Sequence, residues 1–546
     1  MRCDVVIIGS GAGAGPLALR LAQAGWKVLV LEKGPRLTAA DYAHDEIAIE
    51  RGLFLPDPKA DPHTVVTRRT KKPLRTMLGW TASCVGGGTE HMGGYFYRFH
   101  PVDFRMRSHF GDRYGFADWP FSYDDLEPYY CEAERELGVS GRAGGNPFEG
   151  PRSAPYPLPP LAAHPIARTL EAACAARGLT AFPTPRAVNS ASYQGRPACA
   201  YCHVCAGYGC PTGARGTAQS ALLRRAEATG NCRIEAHAMV HTIRVDSRDR
   251  ATGCVYWNGS GEEIEVEAGV TCVCCSAIES ARLLLLSRTP RFPDGLANRN
   301  GLVGRYLQFH AVTMGEGTLP PAAANPQAAD AAPFLGRSVM DYYFLPRGVS
   351  DLDKGGLLRF GLVPGTPLAS AREVLERHAP PRWGRALKED LRTALHGSRK
   401  VYFEAFHDFL PSPDTHVGLD SEVRDGWGLP VARISLDPHP HHRVAGEWLA
   451  RRGGDLLSDL GAQALSFPHV GGTSSYLVMG TCRAGLDPAT SVLDGHCRTH
   501  EIDNLHVVDG SFMPSSGGAP PTLTILANSF RVAAYLARHD RYATIR

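Results

Sequence analysis

The chain opens on a short apolar run. Residues 4–8 place Val5, Val6, Ile7 and Ile8 in succession, the pattern of a strand covered on both faces. Apolar positions at helical spacing follow over 16–24, and 27–31 return to an apolar run, so the start of the chain predicts a compact β-α-β unit. β-rich patterns recur at 233–245 and 263–276, with a helix predicted over 278–287. A strand over 505–508 and a helix over 522–538 close the chain. The separated β and α segments predict one discontinuous α/β domain, built from 1–310 and 480–546. The stretch 311–479 carries strands and helices of its own and reads as a second, α+β domain. Its alanine- and proline-rich part, 319–333, reads as a surface loop. No internal repeat is visible.

Composition narrows the class. A chain of 546 residues with 43% hydrophobic and 21% charged residues has the make-up of a globular enzyme with a large core. A formal charge of +3 gives no electrostatic reason to expect nucleic acid. No apolar run approaches the roughly 20 residues that span a bilayer, so an integral membrane protein is not expected. Strand-forming residues begin at the N-terminus with no charged segment and cleavage site before them, which predicts no signal peptide and a cytoplasmic address. Fifteen cysteines are many and odd in number. Most are scattered through apolar strands, as Cys272, Cys274 and Cys275 are, which argues for buried thiols rather than a secreted disulfide framework.

Chemistry enters at the first turn. Gly9, Gly11 and Ala14 satisfy the dinucleotide fingerprint in which alanine takes the helix-packing position. Gly9 allows the tight turn, Gly11 lets the backbone approach a pyrophosphate, and the helix N-terminus supplies partial positive charge. Glu32 ends the second strand about 20 residues on, where an acid accepts bonds from a ribose. That fingerprint does not choose between FAD and NAD. Further blocks do: Cys84 to Thr89, with Gly86 and Gly87; Ala277 to Ser280; Val303 to Leu307; Asn504 to Gly510; Gly517 to Ala519 with Thr522 to Ile525. In order and content they resemble the glucose–methanol–choline (GMC) oxidoreductase family over residues 4–538. The resemblance implies a Rossmann-like FAD-binding domain with a separate substrate-binding domain, and FAD as cofactor. It places Gly86 and Gly87 at the flavin, Val240 at the adenine, and Asp509 and Gly510 near the pyrophosphate. His91 falls where similar flavoenzymes attach FAD covalently through histidine; a histidine hydrogen-bonded near the flavin is the other reading.

Cys199, Cys202, Cys205 and Cys210, followed by Pro211, form a short cysteine-rich loop of the kind that gathers thiolates around iron and sulfide. It resembles the loop of bacterial FAD glucose, gluconate and sorbitol dehydrogenases that holds a three-iron cluster. Cys199, Cys205 and Cys210 map onto the three ligands, with Cys202 available to complete a four-iron site. Zinc held by the same thiolates, and a loop with no metal, are the alternatives. A cluster implies electron exit to an external acceptor, such as a small partner subunit or a cytochrome. In such dehydrogenases the partner carries the export signal, so a periplasmic address is the alternative to the cytoplasm.

The resemblance breaks at the reacting centre. In the family a histidine three residues before the Gly-Thr-x-Arg-x-Gly block removes the hydroxyl proton, and a His or Asn holds the oxygen. Here the block is Gly480 to Gly485, and the two positions are Leu477 and Pro520. Leucine accepts no proton, and proline lacks even the backbone N–H. Three explanations stand. Tyr476 or His469 substitutes; or the substrate needs no alcohol base, as in desaturation or a double-bond shift; or the chain binds FAD without turnover. His310 reads as structural, and His496 and His500 lie in a polar turn region. A dehydrogenase acting on a CH–OH donor is the default expectation.

Overall fold

The computed structural model describes residues 1–539 apart from 43–45, 51, 71, 203, 321–333, 364–365, 381 and 398. Three sheets organise them. The first has seven strands in the order Cys232–Glu235, Val28–Leu31, Arg2–Ile8, Glu263–Val273, Ala251–Trp257 and Met239–Val245, with Leu505–Val507 added beside Glu263–Val273. The pairings among its N-terminal strands, Cys232–Glu235 and Leu505–Val507 are parallel, whereas Glu263–Val273, Ala251–Trp257 and Met239–Val245 form an antiparallel meander. Val5, Val6 and Ile7 are fully buried, as a strand with helices on one face and a second layer on the other requires.

The predicted elements appear with small shifts. The helix expected over 16–24 runs Ala14–Gln23, that expected over 278–287 runs Ala277–Leu286, and the last runs Thr522–His539. The first helix begins before Pro16 because proline is tolerated in a first turn, where its missing N–H has no partner to lose.

The second sheet is antiparallel, with six strands ordered Gln463–Met479, Gln308–Leu319, Arg399–His407, Gly356–Leu362, Arg337–Val339 and Ala181–Pro183. The long helix His441–Asp459 packs across it. Leu319 closes a strand of this sheet, and most of the expected 319–333 loop lies outside the described residues. A third, four-stranded sheet joins His416–Arg424 and Pro430–Leu436 to His63–Thr67 and Leu74–Thr76.

One irregularity matters for the site. Phe309 pairs with Val478 and Ala311 with Thr473, so residues 474–477 bulge out opposite His310. A bulge re-aims the side chains it carries; here these include Tyr476 and Leu477.

Candidate active site

The fingerprint turn is built as its sequence demands. Gly9 takes φ +91°, and a Cβ there would lie 2.4 Å from the Cys274 carbonyl oxygen, so no other residue fits. The backbones of Gly11 and Gly87 converge: a Cβ on Gly87 would sit 3.0 Å from the Gly11 Cα. Ser10 ties the two segments together. Its Oγ donates to Glu32 Oε2 at 2.6 Å and accepts from the Gly86 N–H at 3.0 Å. Glu32 also accepts from the Gly34 N–H at 3.0 Å. Burial pushes its carboxyl pKa up, against these bonds, which pull it down.

One long cavity runs from this turn between the first and second sheets. Gly9, Gly11, Glu32, Gly87, Val240, Asp509, Gly510 and Tyr476 all line it. Ala14 is buried in the helix behind the turn, and Gly86 stands behind Gly87 in the left-handed region, φ +96°. Asp509 acts as a hub. Its Oδ2 accepts from the Ser276 N–H at 2.9 Å and from Ser280 Oγ, and its Oδ1 accepts from the Ser511 N–H at 2.8 Å. This holds Ser276 at φ +80°, strained for a non-glycine residue, at the start of the helix Ala277–Leu286. The motif search missed Lys33, Glu279 and Arg282, which also line the cavity. They form a charged group: Arg282 pairs with Glu279 at 3.1 Å and with Asp425, and Glu279 meets His63 Nε2 at 2.8 Å. Glu279 belonged to a recognised block, but only the tertiary contacts reveal its partners.

These features fit FAD. A cradle of two glycine backbones that a side chain would fill, a helix N-terminus without an acidic first turn and a poised carboxylate suit a pyrophosphate and a ribose.

The cysteine loop lies against the same glycine segment. Cys199, Cys202, Cys205 and Cys210 line one small pocket with Arg215, and none of the fifteen cysteines forms a disulfide. Among the described residues, no group of three or more His, Cys, Asp or Glu stands close enough to hold a metal ion. His203, inside the loop, lies outside those residues. Charge favours an anion in this pocket. Arg186, Arg196 and Arg215 are all buried, and their hydrogen bonds run to uncharged main-chain carbonyls. Arg186 faces Cys205, while Arg196 and Arg215 face Cys210. Burial alone would raise the Cys210 thiol pKa, but the Thr212 hydroxyl, neighbouring backbone and Arg215 bring it below its ordinary value. The Cys210 thiol is therefore the one most ready to act as a thiolate, whereas burial pushes the Cys199 thiol up to about 11 and the Cys202 thiol up as well.

Arg215 also fastens the loop to the segment that follows the cavity-lining Gly87–Thr89. It donates to the carbonyls of Met92 at 2.6 Å, Cys205 at 2.9 Å and Glu90 at 2.6 Å, and to that of Tyr208. The Gly207 N–H adds a bond to the His91 carbonyl at 2.8 Å.

Comparison with known proteins agrees with this architecture. Models of the GMC oxidoreductase family match residues 69–312 and 411–529, and an FAD binding domain matches 4–44. The chain is 33% identical to 6'''-hydroxyparomomycin C oxidase from Streptomyces lividus, over 99% of this chain and 93% of that protein. It is 31% identical to 2-methyl-1,2-propanediol dehydrogenase from Mycolicibacterium austroafricanum, over 98% and 95%. The chain belongs to the GMC oxidoreductases. It is also 29% identical to the fructose dehydrogenase large subunit of Gluconobacter japonicus, over 98% and 97%. In fold it is similar to pyridoxine 4-oxidase from Mesorbium loti, with a TM-score of 0.63 at 18% identity over 98% of this chain and 99% of that one. The protein is an FAD-dependent oxidoreductase.

At the far end of the cavity this GMC protein presents Tyr476, Leu477, Val478, Pro521 and Thr522. Tyr476 is 57% exposed, and its ring meets that of His91 edge-on at 6.5 Å. His91 stacks on Phe54 at 5.2 Å; burial, then the Arg215 charge, pushes its pKa down to about 4. His469 pairs across the strand with Met314 and is not among the cavity-lining residues. Pro520 is buried, and its neighbour Pro521 takes the place on the wall. His496 stacks on Tyr535 at 3.9 Å, and His500 bonds Ser491 at 2.9 Å, both away from this wall. Among the described residues no disulfide, metal group or membrane-length helix complicates the picture: no helix is long and apolar enough to cross a membrane.

Proposed function

We propose that this protein is a dehydrogenase that oxidises a hydroxyl-bearing carbon of a small polar donor, and that its electrons leave through an iron–sulfur cluster held by the cysteine loop. The observation that carries this reading is the Arg215 junction. It joins the four-cysteine pocket, through main-chain carbonyls, to Glu90 and Met92, which directly follow the cavity-lining Gly87–Thr89. Relatives named for a diol, for fructose and for an aminoglycoside support a hydroxylated donor.

Bound FAD supplies a two-electron hydride acceptor. The residues that would hold it are the Gly9–Gly13 turn and Gly87 at the pyrophosphate, Glu32 at the ribose and Val240 against the adenine. Tyr476 and Leu477 border the open end, where the donor would enter. For the cluster, Cys199, Cys205 and Cys210 are the proposed ligands, with Cys202 as a fourth for a four-iron site. The buried guanidinium groups of Arg186, Arg196 and Arg215 would offset its negative charge. A partner subunit or a cytochrome would serve as acceptor, a proposal supported by the name of the fructose dehydrogenase large subunit.

The apolar wall at Leu477 and Pro521 favours one second reading, desaturation or a double-bond shift on an activated substrate. A single preparation tests both. Under anaerobic conditions, about three or four irons per chain with matching acid-labile sulfide, and bleaching of the flavin band by a polyol or sugar donor, are expected. Flavin without iron would remove the relay. Flavin that only unsaturated carbonyl compounds perturb would favour the second reading.

A further inference from the structure

Gly510, Pro521 and Thr522 line the cavity, and the chain between them has little of its own to hold it in place. Residues 511–520 are all buried, yet 513–521 form neither helix nor strand. Residues 515–519 read Ser-Ser-Gly-Gly-Ala, so no side chain there is longer than a hydroxymethyl group. Such a segment takes its position from what its backbone and hydroxyl groups bond to.

What they bond to is a buried group of ions. The Lys354 Nζ meets Asp103 Oδ1 at 3.0 Å and Asp408 Oδ2 at 2.5 Å, and lies 3.8 Å from the centre of the Tyr343 ring. Lys354, Asp103 and Tyr343 are 0% exposed, and Asp408 is 2% exposed. They converge from three places. Asp103 belongs to the short helix Pro101–Arg105, Asp408 follows the strand Arg399–His407, and Tyr343 and Lys354 lie between the strands Arg337–Val339 and Gly356–Leu362.

Three consecutive ties run from this group to the segment. Tyr343 donates its hydroxyl to Asp103 and accepts from the Gly518 N–H at 3.0 Å. Ser516 Oγ lies 3.4 Å from Asp408 Oδ1 and 3.3 Å from the Phe409 carbonyl, and accepts from the Phe409 N–H at 2.8 Å. Ser515 Oγ donates to the Asp103 carbonyl at 2.8 Å and accepts from Trp119 Nε1 at 2.8 Å. The steric fit is as close: a Cβ on Gly518 would lie 2.7 Å from the Tyr343 ring, and one on Gly517 2.7 Å from the Phe99 ring.

We propose that Lys354, Asp103, Asp408 and Tyr343 are positioning residues that set the 514–519 segment and, through it, Pro521 and Thr522 on the cavity wall. The inference rests on the reading above in one respect, that the donor meets the flavin at this end of the cavity. Stability alone does not account for the group. Taking an ammonium and two carboxylates out of water costs much of what their attraction returns, and apolar side chains of similar volume stabilise a fold as well or better. Ions and hydrogen bonds add direction, since a connected buried network holds one arrangement where apolar contacts can slide. None of the four residues lines the cavity, so their effect passes along the backbone between Gly510 and Pro521. A wall displaced by about 1 Å is enough to slow a reaction about 100-fold, because the reacting atoms must be held in line and in contact.

The test cuts the ties in the full-length holoenzyme while leaving the buried charges paired. Tyr343→Phe keeps the ring over Lys354 and removes the bond to Gly518, and Ser516→Ala removes the bonds at Asp408 and Phe409. In each we expect native flavin content, a melting temperature near native, and faster amide hydrogen exchange confined to the 513–522 peptide. With the sugar or polyol that bleaches the native flavin, kcat should fall by about tenfold or more while KM stays within about twofold. Lys354→Met leaves two buried carboxylates unpaired, so it should add early melting to the same loss. Native exchange in 513–522, or a kcat within about twofold of native in both single variants, would overturn the proposal. So would faster exchange and early melting spread across the molecule in both, because the group would then support the fold at large. A native flavin that no sugar or polyol bleaches is seen before any substitution and overturns the donor reading instead; the exchange measurement then still decides whether the group holds the segment.

Discussion

Gly87 shows how much a single residue decides. Its missing side chain lets two backbone segments, distant in sequence, approach closely enough to cradle a phosphate. For Gly87→Ala, whose Cβ would come within 3.0 Å of the Gly11 Cα at a φ of +56°, we expect a folded protein purified without flavin. Absorbance near the flavin band against total protein, with circular dichroism as the fold control, checks this. The role of Gly9 and Glu32 was legible because a tight turn and a ribose-binding acid occupy fixed offsets from the first strand. His310 was not legible. In the sequence it follows a recognised block and reads as a structural histidine. The structure sets it opposite the 474–477 bulge and against Ala519, each more than 150 residues away in the chain.

Among the elements, the loop that carries Cys199 to Cys210 depends on one side chain. Arg215 satisfies four carbonyl groups, two in the loop and two at Glu90 and Met92. Arg215→Met would leave these buried acceptors without donors. An unmet buried polar group costs about 1–3 kcal/mol, so we expect a loss of about 3–5 kcal/mol in urea unfolding. Iron content, if the cluster is present, should fall with it. Arg215→Lys should recover only part, because an ammonium cannot reproduce the planar fork. The spacing of the cysteines was plain in the sequence. That the loop packs on residues 90–92 was not, because nothing in 199–210 encodes a partner at Glu90 and Met92.

For the whole molecule, the buried histidines predict how stability responds to acid. Burial holds His310 and His441 at about 4 and His442 at about 3, with further depression of His441 by His439 and Lys354 and of His442 by His441 and His439. In the unfolded chain each titrates near 6.5. Below that value the unfolded state binds protons that the folded state refuses, so these groups stabilise the fold fully above pH ~6.5 and lose that contribution as pH falls toward ~4. Titration held down from 6.5 to about 4 corresponds to about 3 kcal/mol for His310 and for His441, and titration held to about 3 to about 5 kcal/mol for His442. Melting temperature should therefore drop steeply between pH ~6.5 and ~4. His442→Gln, which keeps an acceptor for the Leu410 N–H, should shallow that slope measured by scanning calorimetry. An unchanged slope would mean that other groups govern the acid response.

The sequence by itself determined the local parts: the strand-turn-helix at the N-terminus, the acid after the second strand, the cysteine spacing, and the family to which the ordered blocks point. These depend on periodicity and on offsets of a few residues, where backbone geometry leaves few choices. The tertiary structure alone decided which distant segments share a wall. It set Gly11 against Gly87, Arg215 between the cysteine loop and Glu90 and Met92, and His310 opposite the 474–477 bulge. Such contacts arise from packing between sheets and from strand register, and a bulge at 474–477 changes which residue faces the cavity without leaving a mark in the local pattern.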